Sequence, residues 1–501
     1  MKMILTKNEY EYARIVADES GKNLEEVIEA MTRARDVFGV SFKDYSRIGL
    51  HKHTDKTIKN QGERLGKTQE DTDRHYAAVC EATGRTRAQV QQDLAILNTN
   101  PYTTVDIAQY HDLKLYEADR LELEKMLVAI RNRRVTLQQI SKMLPKIYAG
   151  LATFADIKAP LNELYKNTEL TVLQSDIEEL RETIEKLDPA ILENPKKLRA
   201  TAADILVCKR LLGFMNFEYL LFGLRDRTFE EKCTYASNAF RMEKVSKVND
   251  RLKGEFFDNK ARTYEIFQEF YHREGISIYC DDDFDAFAEF CRKHPIFVKK
   301  PLHGAMGSGV GLVRTDENTD LHELFAELRD DMIEFMCEEL VVCHPTLRNL
   351  NVDSVNTVRL TTYFDGRRTH VLWPWMRIGR SGSFVDNGGA GGITVGVDIN
   401  TGTIFTDGMD ESGNHYRVHP DHGFALKGIQ IPDWEGALKL GEALSNKVVE
   451  SIDGIRYVGW DITYTENNQW VVIEGNTFPQ MLHQGSYGKG FRAELDAVIK
   501  D

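Results

Sequence analysis

Along the first 240 residues apolar positions recur every three or four places, amid frequent Leu, Glu, Lys and Gln and few glycines. That spacing predicts helices. Leu170, Leu173, Ile177, Leu180, Ile184 and Leu187 follow this step and stop at Pro189. They predict one helix with an apolar seam under three heptads long, a bundle helix rather than a free coiled coil. After about Arg262 the texture changes: glycines multiply, and short apolar runs between turn residues predict strands and hairpins to the end. Ile276–Tyr279 and Phe297–Lys299 read as strands, and Phe284, Phe287, Phe290 and Cys291 as one face of a helix between them. Asp281–Asp283 and Asp285 open that helix as a cap and first-turn acids. Val458–Tyr464 and Trp470–Ile473, joined by the turn pair Asn467-Asn468, predict a hairpin.

Two echoes run through the helical half. Phe42–Thr54 matches Asn216–Thr228 at a constant offset of 174, pairing Tyr45 with Tyr219, Gly49 with Gly223 and Leu50 with Leu224. Val16–Met31 more weakly matches Val79–Leu94, with Gly21 and Gly84 in corresponding places. Either a recognition module is duplicated, or helix–turn–helix packing reuses the same residue types; two copies fall short of the three that helical repeats need.

Chemistry concentrates in two places. In FVKKPLHGAMGSGVG, Phe297–Gly311, a strand delivers Lys299 and Lys300 to a loop holding Gly304, Gly307, Gly309 and Gly311. Glycines let backbone N–H groups close on an anion, Ser308 adds a hydroxyl and the lysines add charge. The order is neither that of a Walker A loop nor that of a Rossmann turn, so the stretch alone is either a phosphate loop or a glycine-rich turn. Downstream, the hairpin carries Asp461, Glu474 and Asn476 near one end. Two carboxylates and an amide oxygen are hard ligands suited to Mg²⁺ on nucleotide phosphates. Singly each is an ordinary turn residue; together, after a cationic glycine loop, they point to Mg-ATP.

The ordered set V-K-K-P, G-x-x-G-S-G-V-G, E-E-L-V, G-W-D and E-G-N resembles the ATP-grasp superfamily. Glu338–Arg359 and Arg377–Gly392 resemble more particularly its sugar-transfer-associated subgroup, and the resemblance covers roughly Val248–Asp501. It implies an α+β chain: an ATP-grasp fold of two α+β subdomains clasping ATP, preceded by an all-α region. The boundaries expected are 1–240 for the helical region, 241–330 for the subdomain with the phosphate loop, and 331–501 for the subdomain with the adenine hinge and metal site. The resemblance assigns phosphate contacts to Lys260 and to Lys300, the lysine directly before Pro301. It makes Glu338, Glu339 and Val341 the adenine hinge. Where other members carry an acidic ribose partner, this chain has Cys343-His344-Pro345-Thr346, which leaves His344 as the stand-in. Arg359 and Arg377 are placed to stabilise a transferring phosphoryl group or to clamp a carboxylate. Asp386 and Asn387 are either substrate contacts or turn residues, and His483 and Lys489 either line an acceptor pocket or pack.

Composition narrows the setting. A length of 501 residues accommodates two or three domains. A net charge of −14 argues against a general nucleic-acid binder. No apolar run reaches membrane-spanning length, and the N-terminus lacks the pattern of a signal peptide. Seven scattered cysteines without C-x-x-C read as reduced thiols in a cytoplasmic protein.

The resemblance implies an ATP- and Mg²⁺-dependent carboxylate–amine ligase. A small-molecule or peptide carboxylate is activated as an acylphosphate, an amine then forms the amide, and ADP and phosphate leave. Read as a duplicated recognition module, the helical region is expected to take a macromolecular substrate or partner. Two alternatives stay open: a phosphotransferase acting on a hydroxyl acceptor, and an ATP-binding recruitment module.

Overall fold

The computed structural model describes residues 5–53, 55–99, 104–303, 307–386 and 388–500, and it divides into two units, 1–211 and 212–501. Gly304 and Asn387 lie outside the described residues.

In residues 1–211 the described secondary structure is helical. Caps set the boundaries: Thr6, Asn23, Ser41, Thr86, Asp106 and Asp119 each accept a backbone N–H of the first turn that follows. The seam from Leu170 to Leu187 belongs to two helices, not one. Lys158–Leu170 ends before Thr171, and Gln174–Leu187 begins after Leu173. Arg133 Nη1 donates to the Thr171 carbonyl at 3.1 Å, and the Asp176 carboxylate accepts from the Leu173 amide at 3.1 Å. Side chains thus satisfy the groups that a continuous helix would pair.

The 174-residue echo holds as local structure. Helix Phe42–Ile48 ends at Gly49 with φ 69° and passes into a 3₁₀ turn, Leu50–Lys52; helix Asn216–Leu221 ends just before Gly223 with φ 58° and the 3₁₀ turn Leu224–Asp226. Tyr45, Leu50, Tyr219 and Leu224 are all buried.

Residues 212–501 hold two antiparallel sheets. The smaller has the order β1 (Gly275–Ile278), β4 (Phe335–Glu339), β2 (Ile296–Pro301), β3 (Gly311–Arg314). Helices Phe284–Lys293 and Leu321–Met332 bury Phe287, Phe290, Phe325 and Leu328 against it, in one cluster with Phe297 and Phe335. The larger has the order β11 (Trp470–Asn476), β10 (Tyr457–Tyr464), β5 (Val358–Phe364), β6 (Thr369–Ile378), β7 (Ile393–Gly396), β8 (Gly408–Met409), β9 (His415–Tyr416). Helix Lys260–Tyr271 buries Ala261, Tyr264, Phe267 and Tyr271, three and four apart, and Phe267 meets Trp460 of β10 edge-on at 5.0 Å between centroids. Every residue of β10 is buried, as a central strand covered on both faces must be.

Two glycines of the hairpin motifs are fixed by close approach. A Cβ on Gly459 would lie 2.6 Å from Pro479 Cβ, and one on Gly475 would lie 2.8 Å from Trp460 and 2.9 Å from Phe257. Asn249 ties the ends of both strands: its Nδ2 donates to the carbonyls of Tyr457 and Thr477, each at 2.6 Å, and its Oδ1 accepts from the amides of Arg456 and Tyr457, each at 2.9 Å. Among the described residues no helix is long and apolar enough to cross a membrane.

Candidate active site

Asp461 lies opposite Glu474 on β11 and opposite Arg359 on β5. Strand pairing therefore sets an acid, an acid and a guanidinium in one row, because residues directly opposite share a sheet face. Asn476, two residues beyond Glu474, joins the same face and donates to Glu474 Oε1 at 3.4 Å. Arg377, near the end of β6, completes the row. Both Asp461 oxygens are held by guanidinium groups: Arg359 Nη2 lies 2.8 Å from Oδ2, Arg359 Nε bonds Oδ1, and Arg377 Nη2 pairs with Oδ2. The ring of Trp375 sits under both arginines, 5.6 Å from Arg359 and 5.8 Å from Arg377.

The two carboxyl groups divide charge unequally. Burial alone would raise Asp461, but Arg359 and Arg377 hold it far below the usual carboxylate range. Burial and the neighbouring Asp461 charge push Glu474 up. Asp386 is raised to about 6, chiefly by burial, with Arg377 pulling the other way. Its Oδ2 accepts from the Thr357 amide at 2.9 Å and the Thr357 hydroxyl at 2.5 Å, and its Oδ1 lies 3.6 Å from Arg377 Nε.

A second charged group lies under the smaller sheet. Glu338 Oε2 is 2.7 Å from Lys300 Nζ and 2.6 Å from Arg273 Nη2, while Arg273 Nη1 donates to the Val472 carbonyl of β11 at 2.6 Å. Arg273 and Lys300 overcome the effect of burial and hold Glu338 down at about 2; burial lowers Lys300 despite its partner. Lys300, and not Lys299, is thus the lysine turned inward; Lys299 pairs with Asp331 at 2.9 Å near the surface.

The glycine loop joins β2 to β3, whose register pairs Lys299 with Gly311. Gly307 and Gly309 adopt φ 71° and 73°, and Ser308 is exposed at the turn. Asn259 bridges His303, and the Lys260 amide donates to the Leu302 carbonyl at 3.1 Å. The helix start bearing Lys260 is thereby pinned to the beginning of the loop.

At the end of β4, the segment expected to be the hinge, the Glu338 side chain faces the ion group, and the Glu339 amide donates to the Glu274 carbonyl at 2.9 Å. Val341 follows where the chain leaves β4. His344 caps helix Pro345–Arg348, its Nδ1 accepting from the Thr346 amide at 3.2 Å, and its own amide donates to the Tyr464 carbonyl at 2.8 Å. His483 is buried, stacks 5.7 Å from Trp373, and has neither ring nitrogen hydrogen-bonded; burial lowers it to about 3. Lys489 pairs with Glu494 at 3.1 Å and lines a cavity of about 480 Å³ with Trp373, Phe405, Tyr487 and Phe491.

The structure therefore gathers Arg359, Arg377, Asp461, Glu474 and Asn476 in one row, and Lys300 and Glu338 in one ion group. The backbone of Lys260 is tied to Leu302, at the end of the strand that leads into the loop of Gly307, Ser308 and Gly309. Sequence reasoning gave no role to Arg273, Trp375 and Asn249, which lie outside the motifs, nor to Thr357, which lies within one; the signal for Arg273 was one basic residue just after an apolar helix.

A family model described as sugar-transfer associated ATP-grasp matches residues 239–500. No curated protein matches the chain. Among solved structures, D-alanyl-alanine synthetase A from Vibrio cholerae is similar over 50% of this chain and 66% of that one, at 11% identity and a TM-score of 0.33. The VanG D-Ala:D-Ser ligase from Enterococcus faecalis is similar over 50% and 63%, at 16% identity and 0.32. N5-carboxyaminoimidazole synthetase from Staphylococcus aureus, complexed with ADP, is similar over 49% and 52%, at 16% identity and 0.31. The chain spans between about half and two thirds of the length of these structures.

Proposed function

The chain belongs to the sugar-transfer associated ATP-grasp family, and on that premise we propose that it is an ATP- and Mg²⁺-dependent carboxylate–amine ligase forming an amide or peptide bond. The observation that carries this reading is the row of Arg359, Asp461, Glu474 and Asn476 on three adjacent strands, with Arg377 beside it. Lys260, Lys300 and the loop of Gly304, Gly307, Ser308 and Gly309 hold the phosphates. Val341 reads adenine with its backbone, since the Glu339 amide is already spent on Glu274, and His344 stands near the ribose.

The donor set fits a hard divalent cation. Burial and the Asp461 charge oppose charge on Glu474, which a cation beside it would relieve, and Glu474 with Asn476 offers oxygens beyond those the arginines hold. Asp461 serves as the anchor behind them, because both its oxygens are engaged. When bound, Mg²⁺ offsets charge on the phosphates. Arg359 and Arg377 steady the transferring phosphoryl group and the incoming carboxylate. The carboxylate oxygen bonds the γ-phosphorus as the bond to ADP breaks. The amine nitrogen then bonds the acyl carbon, loses a proton and expels phosphate. Catalysis is positioning and electrostatics, so no covalent nucleophile of the protein is needed.

The substrates belong to peptide, polysaccharide or cell-envelope synthesis, in the cytoplasm where ATP is supplied, and the helical residues before the nucleotide site recognise the larger substrate or a partner. Hydroxylamine with ATP and Mg²⁺, over a pool of amino acids, peptides and sugar acids, tests the reading. A hydroxamate formed with ADP marks a trapped acylphosphate; a phosphorylated compound without hydroxamate refutes the ligase. Asp386 favours the second outcome as an alternative: a buried carboxyl near pH 6 beside Arg377 is a ready base for a hydroxyl acceptor.

A further inference from the structure

Outside the nucleotide site, in the helical residues 1–211, three ligand atoms converge. His75 lies on helix Asp55–Thr83, and His111 and Asp112 end helix Ile107–Asp112. His75 Nδ1 is 3.0 Å from His111 Nδ1, His111 Nδ1 is 2.8 Å from Asp112 Oδ1, and His75 Nδ1 is 3.5 Å from the same Oδ1. The His75 and Asp112 side chains are 8% and 2% exposed, and that of His111 is 31% exposed.

Protons alone satisfy this cluster poorly. A neutral imidazole carries one N–H. If His75 Nδ1 bears the proton, the lone pair of His111 Nδ1 faces the Asp112 carboxylate at 2.8 Å. If His111 Nδ1 bears it, one hydrogen is shared between His75 and Asp112. If both bear one, two hydrogens meet across 3.0 Å. A cation satisfies all three atoms at once. The three separations define a triangle with a circumradius of about 1.8 Å, inside the Zn–N bond length of about 2.0–2.1 Å. One point about 1 Å off the plane is therefore at bonding distance from all three.

We infer that His75 Nδ1, His111 Nδ1 and Asp112 Oδ1 form a three-ligand site for a divalent transition ion of the zinc type. The two imidazoles are borderline donors and, with one carboxylate beside them, select such an ion over Mg²⁺, which demands an oxygen octahedron. The other Asp112 oxygen accepts from the Ser175 amide at 3.1 Å and the Ser175 hydroxyl at 2.9 Å, which fixes the carboxylate's orientation. Ser175 opens helix Gln174–Leu187, so the ion joins three helices. With the His111 side chain 31% exposed, the proposed fourth ligand is water. Sequence spacing hides the site, because 36 residues separate the two histidines.

The test uses the full chain, stripped with EDTA and titrated with Co²⁺ and then with Zn²⁺ against a chromogenic chelator. The expected result is one ion per chain, with the visible absorption of four-coordinate Co²⁺ and no thiolate charge-transfer band. H111N is expected to abolish it, and S175A, which removes only the orienting hydroxyl, to weaken it by about tenfold. Glu474→Gln, at the nucleotide site, is expected to leave it unchanged. S175A decides the matter if H111N does not fold. No stoichiometric Co²⁺ on the wild type at micromolar concentration, a thiolate band, or binding untouched in S175A and H111N overturns the assignment.

Discussion

Arg359 and Asp461 face each other directly across β5 and β10, and the guanidinium grips both carboxylate oxygens. On the other side of Asp461, with no strand between, stands Glu474. One central carboxylate is thus flanked by a cation and by a second acid. Arg359 and Arg377 hold Asp461 low against the effect of burial, while burial and the Asp461 charge push Glu474 up.

Glu474→Gln tests the cation-binding role without disturbing the fold. The amide keeps the shape of the carboxyl at a position where burial and the Asp461 charge already oppose a negative charge, so the melting temperature is expected to move little. Mg-ATP turnover is expected to fall by about 100-fold or more, since an amide cannot supply the anionic ligand. Unchanged turnover removes Glu474 from the site.

Arg359→Ala leaves Asp461 buried with one guanidinium instead of two. Removing one partner of a buried pair costs about 3–5 kcal/mol, read as a lower urea midpoint with an unchanged m-value. A loss under about 1 kcal/mol would show that Arg377 compensates alone.

Glu338 makes stability depend on acid. Its folded pKa, about 2, lies below the unfolded value of 4.5. The unfolded chain therefore takes up protons first, and the contribution is present above pH 4.5 and is lost as pH falls toward 2. That contribution is on the order of 3 kcal/mol. Urea unfolding at pH 6 and pH 3.5 is expected to show the decline, and Glu338→Gln to flatten it while lowering stability at both. An equal slope in the variant assigns the acid sensitivity elsewhere.

Asn249→Ala strips four hydrogen bonds from the ends of β10 and β11. Leaving buried backbone groups unpaired costs about 1–3 kcal/mol each where water cannot reach them. A loss of about 3 kcal/mol or more is expected in chemical denaturation, with faster amide exchange at Tyr457. Wild-type exchange there would mean the strand ends are held by other contacts.

Much of the site was legible because its chemistry is local. The hairpin period and the turn pair Asn467-Asn468 predicted β10 and β11, and the alternation of side chains then forced Glu474 and Asn476 onto one face. The seam from Leu170 to Leu187 misled, because apolar spacing continues across a break that Arg133, 38 residues away, and Asp176 create. The echo around Gly49 and Gly223 was readable as local chain reversal, since a left-handed glycine after a short helix is a local requirement.

Sequence alone determined the composition of the proposed nucleotide site: the glycine loop, the lysine before Pro301 and the acids of the hairpin, like the change from helical to strand periodicity near residue 262, all follow from neighbours a few residues apart. Tertiary structure alone decided the partners. Register set Arg359 against Asp461, and sheet packing brought Arg273 and Lys300 to Glu338. Helix packing brought His75 to His111. Those pairings depend on the burial of charges and on registers between strands about a hundred residues apart. Periodicity carries no information about either, because it records which face a residue occupies and not what it meets there.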